Sequence, residues 1–274
     1  MKILISADME GITGVTNWDQ VTPGHPEYER FRRLMTADVN AAVRGAFDAG
    51  ADEVIVSDGH WNGSNILVEE LDPRARLNSG SPSPSSMMEG IGQGINGVLF
   101  VGYHARHGSA DAVLDHTWSS KCVANVWLNE KLAGEYTLNA ALAGYYGIPV
   151  LMTTGDQTAC AQITEQLGTV ETALVKQATG RFAAECLTPN MTQELIEKCA
   201  HRAVQHLAKK NAPQPFIIKT PIKVTVELFT SDMADRSMLM PGATRDGLML
   251  SFVAEDMPSA YAGFRSLVSL AYPR

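Results

Sequence analysis

Four cysteines are spread over 274 residues, at Cys122, Cys160, Cys186 and Cys199, and no two of them stand in a CxxC pair. That spacing predicts neither a disulfide scaffold nor a cysteine metal knot, and it fits reduced thiols in a cytoplasmic protein. Positive charge is also scarce. Lysine and arginine number 22 against 30 acids, a formal net charge of −8, which argues against nucleic acid and against an anionic membrane surface as partners. No apolar run approaches the length of a membrane span. The opening run is short and reaches Asp8 without a cleavage site, so no secretory leader is expected. There is no GxSxG nucleophile elbow, no Walker-type phosphate loop and no internal repeat. Gly92-x-Gly94-x-x-Gly97 matches a dinucleotide fingerprint by letters only, since it precedes a strand instead of joining a strand to a helix.

What is present is a hydrophobic content of 45%, enough to bury a large core, and an alternation of short apolar runs with helical stripes. Lys2 to Ser6 reads as a strand buried on both faces. Phe31, Leu34, Val39, Val43, Ala46 and Phe47 define a helix from Glu27 to Ala49, stopped by Gly50. Glu53 to Asp58 and Gly97 to Gly102 are further buried strands, and the first three elements form a βαβ unit. Later elements are a strand at Asn125–Leu128, a helix at Tyr136–Tyr146, a strand at Pro149–Thr153, a helix at Thr158–Leu167 and a strand at Glu171–Lys176. Thr192 to Lys209 reads as a solvent-facing helix. After Pro215 the texture changes: Ile222 to Phe229 alternates apolar and polar residues as a half-exposed antiparallel strand does, Leu248 to Ala254 is its partner, and Ala260 to Leu270 a covering helix. The expected fold is α/β, an open, mostly parallel sheet with flanking helices over residues 1–212, plus a smaller α+β lobe over residues 213–274 that can interleave with the first.

Three of the parallel strands end in groups that can bind metal. Asp8 and Glu10 follow the first, Asp58 and His60 the second, His104 the third. Residues i and i+2 of an extended chain point the same way, and open α/β sheets bind ligands beyond the carboxyl ends of their strands. Gly11 and Gly14 allow a sharp turn beside the two acids. The joint pattern predicts a metal site. Asp58 is read as a partner that orients a histidine, and His107 as a loop residue within reach of substrate. His25, His201 and His206 are read as structural or solvated. Cys122 near His116 raises a thiol hydrolase, but nothing indicates an activated thiolate. Glu135 by itself is an acid at a helix start.

The motifs Ser6-x-Asp8-Met9-Glu10-Gly11-Ile12, Asp58-x-His60, Gly102-Tyr103-His104-Ala105-Arg106, Gly134-Glu135, Leu138-Asn139-Ala140, Ala143-Gly144-Tyr145-Tyr146 and Met240-Pro241-Gly242 together resemble the zinc-dependent D-aminopeptidase family of the DppA type, over nearly the whole chain. The resemblance implies Asp8, Glu10, His60, His104 and Glu135 as metal ligands and His116 as the catalytic residue. The chain departs from the family at Asp115-His116-Thr117, with an acid before the histidine that could reorient the ring or raise its pKa. Five ligands exceed one catalytic zinc, which usually takes three protein ligands, and suit a pair of ions about 3.5–4 Å apart. The mixed imidazole and carboxylate set suits zinc, with manganese or cobalt as substitutes. The implied activity is release of N-terminal D-amino acids from short peptides by a homo-oligomer, a decamer in the family. Two other readings use the same residues. One is a non-catalytic peptide- or amino-acid-binding protein with a structural metal, and the other a metal amidohydrolase or phosphoesterase on another small substrate.

Overall fold

The computed structural model describes residues 1–273. Six parallel strands and one antiparallel edge strand form the first sheet. They are β1 (Lys2–Ala7), β2 (Glu53–Asp58), β3 (Ala75–Asn78), β4 (Gly97–Val101), β7 (Val150–Asp156), β8 (Glu171–Gly180) and β9 (Ala183–Cys186). Their spatial order is β3-β2-β1-β4-β7-β8-β9, with β9 antiparallel to β8. The second sheet is antiparallel, in the order β11 (Thr244–Asp246), β12 (Met249–Ala254), β10 (Ile222–Leu228), β5 (Val123–Leu128), β6 (Lys131–Ala133). The expected α/β class with an antiparallel addition is the fold observed. The second sheet draws β5 and β6 from earlier in the chain than β10, β11 and β12.

Alternation along each strand divides the core in two. Ile3 and Ile5 face helix α1 (Tyr28–Asp48) and helix α4 (Pro189–Ala208), within a cluster that includes Val54, Val56, Leu99 and Val101. Leu4 and Phe100 point the other way, into a core shared with Val224 and Val226 of the second sheet and with Tyr261 and Phe264 of helix α6 (Met257–Ala271). Helix α2 (Glu135–Tyr145) lies in this shared core with nearly every residue buried, and helix α3 (Gln157–Leu167) packs beside it.

The α4 helix differs from the solvent-facing element expected. Ile196, Cys199, Ala200, Ala203 and Val204 are buried against α1 and the sheet. The crossing is so close that a Cβ on Gly45 would lie 2.2 Å from the Glu197 carbonyl oxygen. Charges around the rest of the helix masked a narrow apolar stripe. The elements absent from the sequence reading are β3, β6, β9, β11 and a short helix, α5 (Ser231–Ser237).

Candidate metal centre

In the sheet order, β2, β1 and β4 lie side by side, and Ala7 stands in register with both Asp58 and Val101. The residues that follow these strands therefore emerge next to one another at the carboxyl edge. The loops after β1 and β4 press together as bare backbone: the Gly11 N–H donates to the Gly102 carbonyl at 2.7 Å. A Cβ on Gly11 would sit 2.0 Å from the Tyr103 carbonyl oxygen. Gly102, at φ +77°, leaves room for the Asp8 carbonyl, which a Cβ would meet at 2.2 Å. These glycines serve close approach more than turning.

Lys176, buried within β8, ties down the same loop. Its Nζ donates to the carbonyls of Glu10, Ile12 and Val15 at 2.7, 2.9 and 2.8 Å. Burial pushes its pKa down to about 8. The three carbonyls hold the ammonium and leave the carboxylates of Asp8 and Glu10 free to turn toward the cavity.

Asp8, Glu10, His60, His104, Glu135 and His116 are all buried and all meet at one place. His60 Nδ1 lies 3.2 Å from Asp8 Oδ1 and 3.1 Å from Glu10 Oε2. His104 Nε2 lies 3.4 Å from Asp8 Oδ2 and 3.0 Å from Glu135 Oε1. The two oxygens of Asp8 thus face two different histidines, each with a second carboxylate beside it. Glu135 reaches the cluster from the first turn of α2, where Oε1 also accepts the Trp118 N–H at 2.6 Å.

Each imidazole is oriented by a backbone carbonyl, which can only accept. His60 Nε2 donates to Val21 O at 2.8 Å, His104 Nδ1 to Ala105 O at 3.0 Å, and His116 Nδ1 to Leu114 O at 2.8 Å. The opposite nitrogen of each ring then faces the cluster, the arrangement that tunes metal-binding histidines. Asp58 does not perform this task. Its carboxylate accepts from the Asn65 and Ile66 backbone N–H groups and from Asn65 Nδ2, fixing the loop after His60 instead of the ring.

His116 stacks on His104 with ring centroids 4.0 Å apart and meets Trp18 edge-on. Its Nε2 is 3.5 Å from Glu135 Oε1 and 3.9 Å from Glu10 Oε1. Asp115 plays a different part from the one expected. Its carboxylate accepts from the Gly108 and Ser109 N–H groups and pairs with Arg181 Nε at 2.9 Å, so it braces the loop from the β8–β9 turn. Burial, followed by the charge of His104, lowers the His116 pKa to about 4, against the opposing pull of Glu10 and Asp8, and Asp115 has no part in the shift.

The donor set fits a cation. Asp8 Oδ2, Glu10 Oε2 and His104 Nε2 are buried polar atoms without a hydrogen-bond partner among the described residues. Two triads have ligand atoms within 4.8 Å of one another, Asp8–Glu10–His104 and His104–His116–Glu135. Burial works against charge on His60 and His104. The carboxylates of Glu10 and Asp8 around His60, and of Glu135 and Asp8 around His104, nevertheless hold both imidazoles well above the usual histidine range. Burial alone would raise Asp8, yet its contacts with His104 and His60 hold it well below the ordinary carboxylate range. Protons on the histidines thus supply positive charge that three buried carboxylates require.

The remaining candidates lie elsewhere. His25 pairs with Asp19 at an exposed turn, His201 and His206 are on α4, and His107 packs edge-on against Phe229. Burial raises the Cys122 thiol, which is therefore no activated nucleophile. Val21, Trp118 and Lys176 were not anticipated. The first two act through backbone groups, which carry no residue-type signature, and a lysine inside an apolar strand signals burial only once the strand is known.

A family model described as D-aminopeptidase matches residues 1–266. The chain is 37% identical over 273 residues to a D-aminopeptidase of Bacillus subtilis (strain 168), a match spanning 99% of this chain and 98% of that one. Among solved structures it is similar to the Zn-dependent D-aminopeptidase DppA from Bacillus subtilis, a self-compartmentalizing protease. That match has a TM-score of 0.95 and 36% identity, and it covers 99% of this chain and 98% of the other.

Proposed function

Since the chain belongs to the D-aminopeptidase family, we propose that it is a zinc-dependent aminopeptidase releasing N-terminal D-amino acids from short peptides at a site for two ions. The observation that carries the dinuclear reading is the split of Asp8. Oδ1 faces His60 and Glu10, while Oδ2 faces His104 and Glu135. Asp8 would be shared by both ions, Glu10 and His60 would complete one ligand set, and His104 and Glu135 the other. The imidazole and carboxylate mixture favours zinc, with manganese or cobalt as substitutes. When bound, zinc supplies Lewis acidity to the scissile carbonyl and brings water within reach of ionisation near neutral pH.

The protein's own groups do the rest. The site opens into a cavity of about 390 Å³ whose wall includes Trp18, Trp61 and Trp118, and this shelter from water strengthens each charge within it. His116 is neutral at pH 7, with Nδ1–H committed to Leu114 O and the Nε2 lone pair directed at the cluster. We assign it proton transfer: Nε2 takes the proton of the attacking water and returns it to the leaving amine. The triad with His104 and Glu135 supports a second role, as a ligand. Metal content in His116→Ala separates the two.

Self-compartmentalisation in the structural relative supports a closed homo-oligomer here, decameric by family resemblance, which would admit short peptides and exclude folded proteins. No described helix is long and apolar enough to cross a membrane, and we propose a cytoplasmic location. Release of free amino acid from matched dipeptides with D or L residues at the N-terminus tests the activity. Zinc-loaded protein should cleave the D series preferentially, and a chelator should abolish the reaction. Equal cleavage of both series, or full activity in chelator, would contradict the proposal.

A further inference from the structure

The cavity over the metal centre is electrically lopsided. Asp8, Glu10 and Glu135 stand at its floor, and the cations in its wall are Lys121, Arg265 and the imidazoles. Arg265 donates from Nη1 to Pro84 O at 2.6 Å, and its guanidinium lies 6.0 Å from the Tyr261 ring. Lys121 is held differently. Its Nζ sits 5.5 Å from the ring centre of Trp61 and 5.5 Å from that of Tyr272, two half-exposed aromatics in the same wall. Among the described residues no carboxylate lies within ion-pair distance of it. Its backbone is fixed, because the neighbouring Cys122 is wholly buried and accepts the Phe229 N–H at 3.2 Å. Two aromatic faces attract an ammonium without using its hydrogens, so Lys121 is positioned and still able to donate.

We infer that Lys121 binds the C-terminal carboxylate of the substrate, so that the site takes short peptides as zwitterions. This rests on the aminopeptidase reading, in which the free amine and scissile carbonyl lie over the acidic floor. An anion approaching a chain of net charge −8 meets general repulsion, so a cation in the wall that no described carboxylate pairs with has a disproportionate effect on where the negative end settles. Only a peptide short enough to touch both ends of the cavity gains both interactions, which ties length selection to the carboxylate. Lys121 is therefore a specificity residue that acts on binding more than on bond cleavage.

The test compares D-alanylglycine with D-alanylglycinamide on the zinc-loaded enzyme. Wild type should favour the acid in kcat/KM by about tenfold or more, mostly through KM, as expected for one charge-assisted hydrogen bond. Lys121→Met should bring that ratio close to one, Lys121→Glu should invert it, and Lys121→Arg should keep it. A wild-type enzyme indifferent to the amide, or a ratio unmoved in Lys121→Met, would overturn the inference while leaving the aminopeptidase reading intact. Cleavage of neither peptide by wild type would overturn that reading and this inference with it.

Discussion

What holds each side chain, and what that leaves free, decides the chemistry of single residues in the site. His116 has one nitrogen tied to Leu114 O and the other aimed at the cluster. His116→Ala should therefore retain its metal and assembly while kcat falls by at least about a hundredfold, the scale of acid–base catalysis. Elemental analysis beside steady-state kinetics checks this, and loss of metal in the variant would make His116 a ligand. A second residue shows burial acting without function. Asp38, inside α1, accepts from the Thr13 N–H at 2.9 Å and from the Thr13 hydroxyl, and burial raises its pKa to about 6 from 3.8. A carboxyl whose folded pKa is raised keeps its proton longer in the folded chain. It therefore costs nothing below pH 3.8 and costs stability progressively as pH climbs through 3.8 to 6. Asp38→Asn removes the titration, so its stability relative to wild type should improve by about 2 kcal/mol between roughly pH 4.5 and 7. Urea unfolding at the two pH values measures it, and a pH-independent difference would contradict the assignment.

Among elements, the strand ends were the legible part. Near-continuous apolar runs at 2–6, 53–58 and 97–101 can only be buried strands, and the polar residues after them had to fall at one sheet edge. Asp8, Glu10, His60 and His104 were found on that reasoning alone. Glu135 and His116 were not, because a helix-start acid and a histidine in an aperiodic loop look the same whether or not they face a cluster; family resemblance supplied them. Short edge strands escaped for a related reason. Ala75–Asn78 and Thr244–Asp246 have three or four residues and largely exposed side chains, so no periodicity can accumulate. The role of Asp115 depended on Arg181, 66 residues away in the chain, a pairing invisible to local reading. The contact between the β1 and β4 loops gives an element-scale prediction. Gly11→Ala forces a methyl against the Tyr103 carbonyl, so these loops must part. The variant should lose several kcal/mol of stability and bind metal more weakly, by thermal unfolding and metal titration. Normal metal affinity would show that the loops can separate without disturbing the ligands.

For the whole molecule, the second sheet shares one core with the first, because Phe100 and Val226 belong to the same cluster. The proposed closed oligomer predicts a mass several-fold above one 29.6 kDa chain in light scattering; a mass near one chain would defeat it. A dinuclear centre would account for three buried carboxylates, the oriented imidazoles of His60 and His104, and the two-sided contacts of Asp8. Elemental analysis of zinc-reconstituted protein tests it most directly. Wild type should hold close to two equivalents per chain, and His60→Ala and His104→Ala should each hold fewer, since each loses a ligand from a different set. One equivalent in wild type, unchanged in both variants, would contradict the account.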